Sequence, residues 1–492
     1  MKKILTTLFS ITLIVLFSNC SHKKEKYATI LYFNDAHQIY PVRDELGERG
    51  GVARLKTIVE KIKKENPETI VVFGGDLAGG TLFGGLYHGF PMIEAFNLIP
   101  IDIANFGQHD FDFGSDITKQ LVDSSNFKWL SSNLKDNKNN TFNNLPTYII
   151  EQKAGIKICF IGLTDNMNTT KQDGKIFQKD LFEACKNSLQ KIKNETPDII
   201  IALTQTSLKT NEKLINEFPQ INAILTEEQY ENSSNIYYVH KHPIVSPCGN
   251  MGSVVRVDLN KINDEISLKI EVHALDSLVA ENKELAILQE KYKNKLNAEL
   301  SKPIAKLLCP LPIKGNLYKE TKAGNLITDA FRDYYNSDIA LINGGGIRAN
   351  VDKGVFSLKD AHSLLPFGNK ICVVKLTGED IYNFIENSLN DDKHKRESFL
   401  QISGASYKYI SNKLVSIYIN GNPINFDKKY TVALSNYLIS GGEGLKKISK
   451  NKILISQEKA LNDVDLLINY CKKKGEINPK IEARIVNLKI IK

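Results

Sequence analysis

Side chains that bind divalent cations follow three hydrophobic runs in the first quarter of the chain. Asp35 and His37 follow the first run, and Asp76 follows the second. Residues 107–112, which read Gly-Gln-His-Asp-Phe-Asp, form the third group. Carboxylates, imidazoles and amide oxygens are the protein ligands of borderline and hard metal ions. A lone Asp or His in a loop is usually a hydrogen-bonded loop residue, but several at successive strand ends indicate a metal site.

The hydrophobic runs themselves have the composition of buried β-strands. Between residues 27 and 258 they alternate with helical patterns, which is typical of layered α/β folds. In such folds ligands bind beyond the carboxyl ends of the strands. The predicted strands are residues 28–33, 69–73, 157–161, 199–203 and 221–225.

These motifs resemble those of the calcineurin-like metallophosphoesterases, and specifically those of the 5'-nucleotidases and UDP-sugar hydrolases. That family carries Asp-x-His, Gly-Asp and Gly-Asn-His-Glu/Asp in this order, followed by two strand ends that bear His. The resemblance covers almost the whole chain after the N-terminal segment. It implies an α/β fold in which a four-layer α/β/β/α metallophosphoesterase sandwich is followed by a smaller α/β C-terminal nucleotide-recognition domain.

The resemblance also implies a centre with one or two divalent ions. Asp35, His37 and Asp76 would hold one ion, and Asp76 would bridge to a second. Two such cations activate water and offset charge on phosphoryl oxygens. His109, steadied by Asp112, would stabilise the developing charge or protonate the leaving oxygen. The implied ligands of the second ion are Asp76, Gln108, Gln205 and Glu228.

The second metal site departs from the family pattern. Gln108 replaces an Asn, Gln205 replaces a His, and residues 227–230, Glu-Glu-Gln-Tyr, replace Gly-His-Ser-His, so that Tyr230 would be the fourth group at the first ion. Amide and carboxylate oxygens suit Mg²⁺, Mn²⁺ or Ca²⁺ better than Zn²⁺. Three interpretations stay open: a two-metal site retuned for harder ions, a one-metal enzyme and a nucleotide-binding pseudoenzyme.

The second half of the chain carries a glycine-rich turn and two aromatic loops. Residues 343–348, Asn-Gly-Gly-Gly-Ile-Arg, follow a hydrophobic run, and arginine offers a bidentate fork for phosphate. Phe367 and Tyr437 lie in segments that match the family loops whose rings stack on a nucleobase. Such stacking is worth roughly 1–3 kcal/mol per base. The implied substrate-binding residues are Lys319, Asn343, Arg348, Phe367, Tyr437 and Glu443.

Three residues of this half differ from the family pattern. Lys319 stands where Arg is usual, so the charge is kept and the bidentate fork is lost. Glu443 replaces an Asp that meets ribose hydroxyls, and it reaches further. Glu397 stands where Gly is common and narrows the expected pocket.

The N-terminus is typical of a bacterial signal peptide. Two lysines precede an apolar run over residues 4–17, which is too short to span a bilayer. Cys20 and the polar residues after it resemble a lipoprotein signal, and Cys20 would be the lipidated residue. Asn19 and Phe17 depart from the commonest lipobox, which leaves secretion without an anchor as the alternative. The expected location is the bacterial cell envelope, with membrane attachment through the lipid.

Composition excludes several other classes. The net charge of +8 is spread over 492 residues without a basic run, which argues against a nucleic acid polymer as partner. Lysines in polar stretches, Lys135 among them, are expected on solvated faces. The six cysteines after Cys20 form no Cys-x-x-Cys pair, which excludes zinc ribbons and thioredoxin-like motifs. Their wide spacing predicts buried thiols, with one disulfide left open.

The sequence thus predicts a signal peptide over 1–19, a metallophosphoesterase-like domain over 20–274, a linking helix over 275–301 and a 5'-nucleotidase C-terminal domain over 302–492. The predicted function is metal-dependent hydrolysis of phosphate from nucleotides at the cell envelope. By the resemblance, substrate would bind between the domains and the linking helix would act as a hinge. The alternatives are a lipoprotein that binds nucleotides with little or no turnover and an envelope structural protein without a ligand. The oligomeric state is left open.

Overall fold

The computed structural model describes residues 26–44, 47–167, 170, 173–389, 396–457 and 459–489. The predicted signal peptide and Cys20 lie outside these residues. The chain divides into two compact units, residues 1–289 and 290–492.

Two six-stranded sheets dominate the described part of the N-terminal unit. Their order is β16-β15-β1-β4-β5-β6 in the first sheet and β13-β14-β12-β11-β9-β8 in the second. The strands are β1 (Ala28–Phe33), β2 (Val42–Asp44), β3 (Gly47–Arg49), β4 (Thr69–Phe73), β5 (Ile103–Ala104), β6 (Lys128–Trp129), β7 (Leu134–Asp136), β8 (Tyr148–Lys153), β9 (Ile156–Thr164), β10 (Ile176–Gln178), β11 (Ile199–Gln205), β12 (Ala223–Thr226), β13 (Asn235–Val239), β14 (His242–Ser246), β15 (Ser253–Ile262) and β16 (Glu265–Ala274).

The central strands of both sheets are parallel, so their carboxyl ends lie along one edge of each sheet. β1 pairs in parallel with β4, and β11 pairs in parallel with both β9 and β12. Hydrogen bonds join the carboxyl ends of the two sheets: Thr164 Oγ1 donates to Phe106 O at 2.7 Å, and Gln205 Nε2 donates to Gly74 O at 3.3 Å. The loops of both sheets therefore meet at one place.

The two sheets pack face to face through one hydrophobic core. Ile30 and Val72 of the first sheet share this core with Phe160 and Leu203 of the second. Helices cover the outer faces, with α5 and α6 packed on the second sheet. This arrangement gives the α/β/β/α layers, and the predicted α/β fold is confirmed. The helices are α1 (Val52–Glu65), α2 (Leu82–Tyr87), α3 (Phe90–Phe96), α4 (Ser115–Asp123), α5 (Leu181–Ile192), α6 (Leu208–Glu217) and α7 (Lys283–Leu300).

The C-terminal unit is built on a five-stranded sheet of order β21-β18-β25-β20-β26. Alternate residues of β18 enter two different cores: Leu341 packs on the side of α10, and Ile342 on the side of α8 and α12. The remaining elements are β17 (Pro303–Leu307), α8 (Lys322–Tyr335), β18 (Ile339–Asn343), β19 (Gly354–Ser357), α9 (Leu358–Leu364), β20 (Ile371–Thr377), α10 (Gly378–Leu389), β21 (Leu400–Ser403), β22 (Ala405–Ile410), β23 (Lys413–Ile419), β24 (Asn422–Pro423), β25 (Lys429–Ser435), α11 (Asn436–Ile439), β26 (Ile453–Ile455), α12 (Asp463–Lys474), β27 (Glu476–Ile477) and β28 (Ile485–Asn487).

The helix predicted to begin near residue 275 begins at Lys283. Asp276 accepts a hydrogen bond from Leu278 N at 2.9 Å and forms a turn, and Asn282 Oδ1 accepts from Leu285 N at 3.3 Å. The short polar side chains of Asp276 and Asn282 bind nearby backbone N–H groups, which favours a turn followed by a new helix start. A prediction that only counts helix-forming residues does not include this effect.

Six cysteines of the described residues are buried, in agreement with the prediction of buried thiols. None of the helices in the described ranges has the length and apolarity to span a membrane.

Candidate active site

The loops after β1 and β4 bring Asp35, His37 and Asp76 together. One ligand atom from each of these side chains lies within 4.8 Å of the other two. The loops bond to each other, since Asp35 N donates to Gly75 O at 3.1 Å and Ala36 N donates to Asp76 O at 2.8 Å. Asp35 and Asp76 are each only 2% exposed. Both carboxylates are therefore held rigidly and away from bulk water.

The backbone around these carboxylates is strained. Asp35 and Asp76 have φ values of 51° and 67°, in the left-handed region that few residues other than Gly, Asn and Asp adopt. A Cβ at Gly75 would lie 2.3 Å from Gly107 N, so only glycine permits the close approach of these loops. Strained backbone of this kind is concentrated at functional sites.

His109 joins the same group through its backbone and its ring. Its N–H donates to Asp76 Oδ1 at 2.7 Å, and its Nδ1 lies 2.8 Å from Asp112 Oδ2. The ring stands edge-on to the ring of His37, with centroids 5.5 Å apart. The structure thus brings together five predicted residues, Asp35, His37, Asp76, His109 and Asp112.

The two imidazoles have opposite charge preferences. Burial, with the charge of His109 second, lowers the pKa of His37 to about 3, so His37 is neutral and able to act as a ligand. Burial opposes the charged form of His109, but the hydrogen bond that its ring donates to Asp112 and the charge of Asp76 outweigh it and raise the pKa of His109 to about 9. His109 therefore holds a proton at neutral pH.

Three predicted ligands of the second ion, and Asp35 of the first, have buried oxygens without a hydrogen-bond partner among the described residues. Gln108 Oε1, Gln205 Oε1, Glu228 Oε2 and Asp35 Oδ2 are buried and accept no hydrogen bond from a described residue. Buried polar atoms in proteins are nearly always paired. Since all four atoms are acceptors, a cation is the partner that would satisfy them, and the residues fit a metal ion.

Glu227 was missed by the sequence reasoning. Burial and the charge of Asp165 raise the pKa of Glu227 to about 7. Burial also raises the pKa of Asp76, and Asp110 and Glu227 add to that rise while His109 opposes it. Glu227 thus acts electrostatically on the proposed bridging carboxylate. The family motif indicates Glu228 alone. Both glutamates directly follow the buried strand β12, and this position at a strand end is the sequence feature that could have predicted Glu227.

Tyr32 was missed as well. It lies within the buried strand β1, and its hydroxyl has no hydrogen-bond partner among the described residues. Burial and the charges of Glu227 and Glu228 raise its pKa well above the ordinary value. A tyrosine in an apolar strand gives no sequence signal for such a position.

Asp110 has a structural part in the site that the sequence reasoning did not assign. Its carboxylate accepts hydrogen bonds from the backbone N–H groups of Gly107, Asp76 and Leu77 at 2.9, 3.1 and 2.8 Å. It therefore ties the loop after β4 to the loop that carries His109.

Tyr230, the expected fourth group at the first ion, is 59% exposed, and its hydroxyl pairs with that of Tyr237. This placement differs from the deep burial of Asp35 and Asp76.

In the C-terminal unit, Arg348 and Phe367 lie together. The guanidinium carbon is 5.7 Å from the centre of the Phe367 ring, and Nη1 donates to Gly345 O at 3.3 Å. Phe367 is 59% exposed, whereas Asn343 is buried at the end of β18. An exposed ring beside an arginine offers a stacking face and a charge to an anionic aromatic ligand.

Tyr437 and Glu443 are directly paired. The Tyr437 hydroxyl donates to Glu443 Oε1 at 3.2 Å and accepts from Glu443 N at 3.4 Å. A Cβ at Gly442 would lie 2.5 Å from the Tyr437 ring, so the loop needs glycine at that position. The Tyr437 hydroxyl, which a phenylalanine would lack, therefore fixes the longer carboxylate of Glu443.

The two aromatic loops are joined through Lys370 and Asn436. Asn436 N donates to Lys370 O at 2.8 Å, and Lys370 N donates to Asn436 Oδ1 at 3.1 Å. Lys370 lies three residues after Phe367, and Asn436 precedes Tyr437. These two hydrogen bonds fix the position of the Phe367 loop relative to the Tyr437 loop. Lys319 is exposed, and its carbonyl accepts from Gln401 Nε2 at 2.8 Å.

Comparison with known proteins agrees with both halves of this description. Residues 28–242 match the calcineurin-like phosphoesterase family, and residues 304–450 match the 5'-nucleotidase C-terminal domain. The chain combines a calcineurin-like phosphoesterase domain with a 5'-nucleotidase C-terminal domain.

Individual 5'-nucleotidase relatives are distant. A 5'-nucleotidase of Vibrio parahaemolyticus is 24% identical over 92% of this chain and 90% of its own length. The trifunctional nucleotide phosphoesterase protein YfkN of Bacillus subtilis is 26% identical over 93% of this chain, which spans only 34% of that protein.

Solved structures show the same fold. The 5'-nucleotidase precursor of Thermus thermophilus has a TM-score of 0.61 and 20% identity, with 94% of this chain and 99% of that chain covered. The NAD nucleotidase of Haemophilus influenzae has a TM-score of 0.64 and 19% identity with the same coverage.

Proposed function

We propose that this protein is a metal-dependent phosphohydrolase that releases phosphate from nucleoside 5'-monophosphates or cleaves related nucleotides. The observation that carries the proposal is the cluster of Asp35, His37 and Asp76 beside the His109–Asp112 pair, together with the buried acceptor oxygens that have no hydrogen-bond partner among the described residues. Buried carboxylates without cationic partners are costly, and divalent ions offset that cost.

The proposed metal ligands divide into two sets that share Asp76. Asp35 and His37 complete the first set, and Gln108, Gln205 and Glu228, with Glu227 adjacent, form the second. Bound divalent ions activate water and offset the charge of the phosphoryl oxygens. The oxygen-rich second set favours Mg²⁺, Mn²⁺ or Ca²⁺ over Zn²⁺.

His109 holds a proton at the site where the leaving oxygen gains charge, and Asp112 orients the ring. Arg348, Asn343 and Lys319 bind phosphate, Phe367 and Tyr437 stack on the base, and Glu443 accepts from ribose hydroxyls. We place the protein at the bacterial cell envelope, attached to the membrane through lipid on Cys20.

Phosphate release from a panel of nucleotides tests this function. We expect turnover of AMP, and His109→Gln should lower kcat by about 100-fold or more, the usual scale of a lost general acid. His240→Gln is the matched control, because His240 lies in the exposed hairpin between β13 and β14, where its ring contacts Asn216. Equal turnover by the His109 variant and the wild type would contradict the assignment, and AMP binding without turnover would support the nucleotide-binding pseudoenzyme.

A further inference from the structure

A cavity opens in the N-terminal unit between α5 and the loop after β7. Its volume is about 610 Å³, and its lining includes Lys135, Lys179 and Lys191. Lys135 lies in β7, Lys179 precedes Asp180 at the start of α5, and Lys191 lies in the last turn of α5. The chain fold therefore brings three cations from separate segments to one cavity.

These lysines differ from others on the same surface. In the described ranges, no carboxylate forms an ion pair with Lys135, Lys179 or Lys191. By contrast, Lys175 Nζ lies 2.5 Å from Asp116 and Lys128 Nζ lies 2.7 Å from Glu151. The cationic groups of the cavity are thus not neutralised in the way that neighbouring lysines are.

The two acidic residues adjacent to Lys135 and Lys179 in sequence accept hydrogen bonds from backbone N–H groups, and the cavity lining contains few carboxylates. Asp136 accepts from Lys138 N and Asn140 N at 2.9 and 2.8 Å, and Asp180 caps α5 by accepting from Phe182 N and Glu183 N. Glu183 is the one carboxylate among the lining residues of the described chain. Three positive charges therefore face one negative charge.

Lys135 is half-buried. Burial, together with the charges of Lys191 and Lys179, lowers its pKa, while Asp136 acts in the opposite direction. Like charges that gather at a half-buried place repel each other unless an anion binds between them.

The other lining groups indicate what kind of anion fits. They include the hydroxyls and amides of Ser132, Thr147, Asn139, Asn187 and Gln190, together with apolar surface. The polar groups offer hydrogen bonds to the oxygens of an anion, and no aromatic ring is among the described lining residues, unlike in the Phe367 and Tyr437 loops.

We propose that this cavity binds a multivalent oxyanion, of the class of inorganic pyrophosphate, held by Lys135, Lys179 and Lys191. The site is separate from the proposed metal centre and does not depend on its function. Lysine ammonium groups bind phosphate as point charges.

Titration calorimetry with inorganic pyrophosphate at low ionic strength tests the site. The protein is the chain from residue 21 onward, freed of metal with chelator so that bound ions contribute nothing. We expect one site that Lys135→Gln and Lys191→Gln each weaken at least 10-fold, that Lys135→Arg retains, and that added salt weakens. Lys186→Gln is the matched control, since Lys186 is an exposed lysine of α5 that does not line this cavity.

Further measurements distinguish binding at this cavity from binding at other anion sites of the protein. A binding event that Arg348→Gln removes and Lys135→Gln leaves unchanged belongs to the nucleotide-binding residues, and finding only that event would overturn the proposal. Sulfate should compete with pyrophosphate and chloride at equal ionic strength should not. Absence of pyrophosphate binding by the wild type, or equal binding by the Lys135→Gln and Lys191→Gln variants, would also overturn it.

Discussion

At the scale of single residues, the second set of proposed metal ligands differs most from a zinc site. Gln205 is fully buried, and its amide nitrogen donates to Gly74 O at 3.3 Å, which leaves Oε1 buried without a hydrogen-bond partner from the described chain. Glu228 Oε2 is also buried without a partner from the described chain. Oxygen donors in these positions select hard ions over Zn²⁺.

The double substitution Gln205→His and Glu228→His tests this selectivity. We expect activity with Mn²⁺ or Mg²⁺ to fall at least 10-fold and Zn²⁺ to become the better ion, because imidazole nitrogens replace hard oxygens. The measurement is phosphate release from AMP with each ion supplied separately to stripped protein. A large gain with every ion would instead indicate a site weakened by the loss of its histidines.

Tyr437→Phe tests the residue pair that fixes Glu443. The ring and its stacking face are kept, but the hydrogen bond to Glu443 is lost, and such a bond to a charged group is worth about 1.5–3 kcal/mol. We expect KM for AMP to rise roughly 10-fold or more, with kcat nearly unchanged. Tyr418→Phe, on the exposed side of β23, is the control. An unchanged KM would show that Glu443 needs no support from the hydroxyl.

The sequence predicts Asp35, His37, Asp76, His109 and Asp112 because each lies in a short polar segment after a hydrophobic run. It does not reveal the structural role of Asp110 or the position of Tyr32 in the site, since both depend on contacts between segments distant in sequence. Asp110 binds the backbone of residues 76 and 77, and Tyr32 points from β1 toward glutamates that follow β12. Long-range packing of this kind leaves no local pattern.

At the scale of elements, the long buried strands were predictable and the short ones were not. β1 and β4 coincide with the predicted residues, and the β11 region extends to Gln205. β5 has only two residues, Ile103–Ala104, and pairs with β4 and β6 inside the sheet. Two residues carry too little periodicity to predict a strand, and the surrounding sheet determines their conformation.

The start of α12 carries a buried carboxylate whose titration should influence stability. Burial raises the pKa of Asp463 to about 7, although hydrogen bonds from Val464 N and Asn369 oppose the rise. The folded state then binds more protons than the unfolded state between about pH 4 and 7. Stability is therefore lost as pH rises through this range.

Asp463→Asn removes this titration while it keeps the side-chain volume. Relative to the wild type, we expect the variant to gain stability between pH 5 and pH 8, by up to about 3 kcal/mol, since about two pH units separate pH 5 from the pKa of about 7 and one unit corresponds to about 1.4 kcal/mol. Thermal unfolding at the two pH values measures the difference. Asp427→Asn, at an exposed position, is the control, and parallel curves for Asp463→Asn and the wild type would contradict the prediction.

At the scale of the whole molecule, membrane attachment depends on residues outside the described part of the chain. We expect Cys20→Ser to abolish incorporation of labelled fatty acid and to release the protein from the membrane fraction, because the lipid is the proposed anchor. Fractionation of cells that express the full chain measures this. Continued sedimentation of the variant with membranes would show that another interaction holds the protein there.

The central claim is that both units of the 5'-nucleotidase fold serve a hydrolase with a retuned metal centre. The measurement that tests it most directly is phosphate release from AMP and UDP-glucose by protein without residues 1–20, stripped with chelator and resupplied separately with Zn²⁺, Mn²⁺, Mg²⁺ or Ca²⁺. We predict no turnover by stripped protein, turnover with Mn²⁺ or Mg²⁺ above that with Zn²⁺, and its loss in His109→Ala. Measurable AMP binding without turnover under any ion would contradict the claim and identify a nucleotide-binding pseudoenzyme.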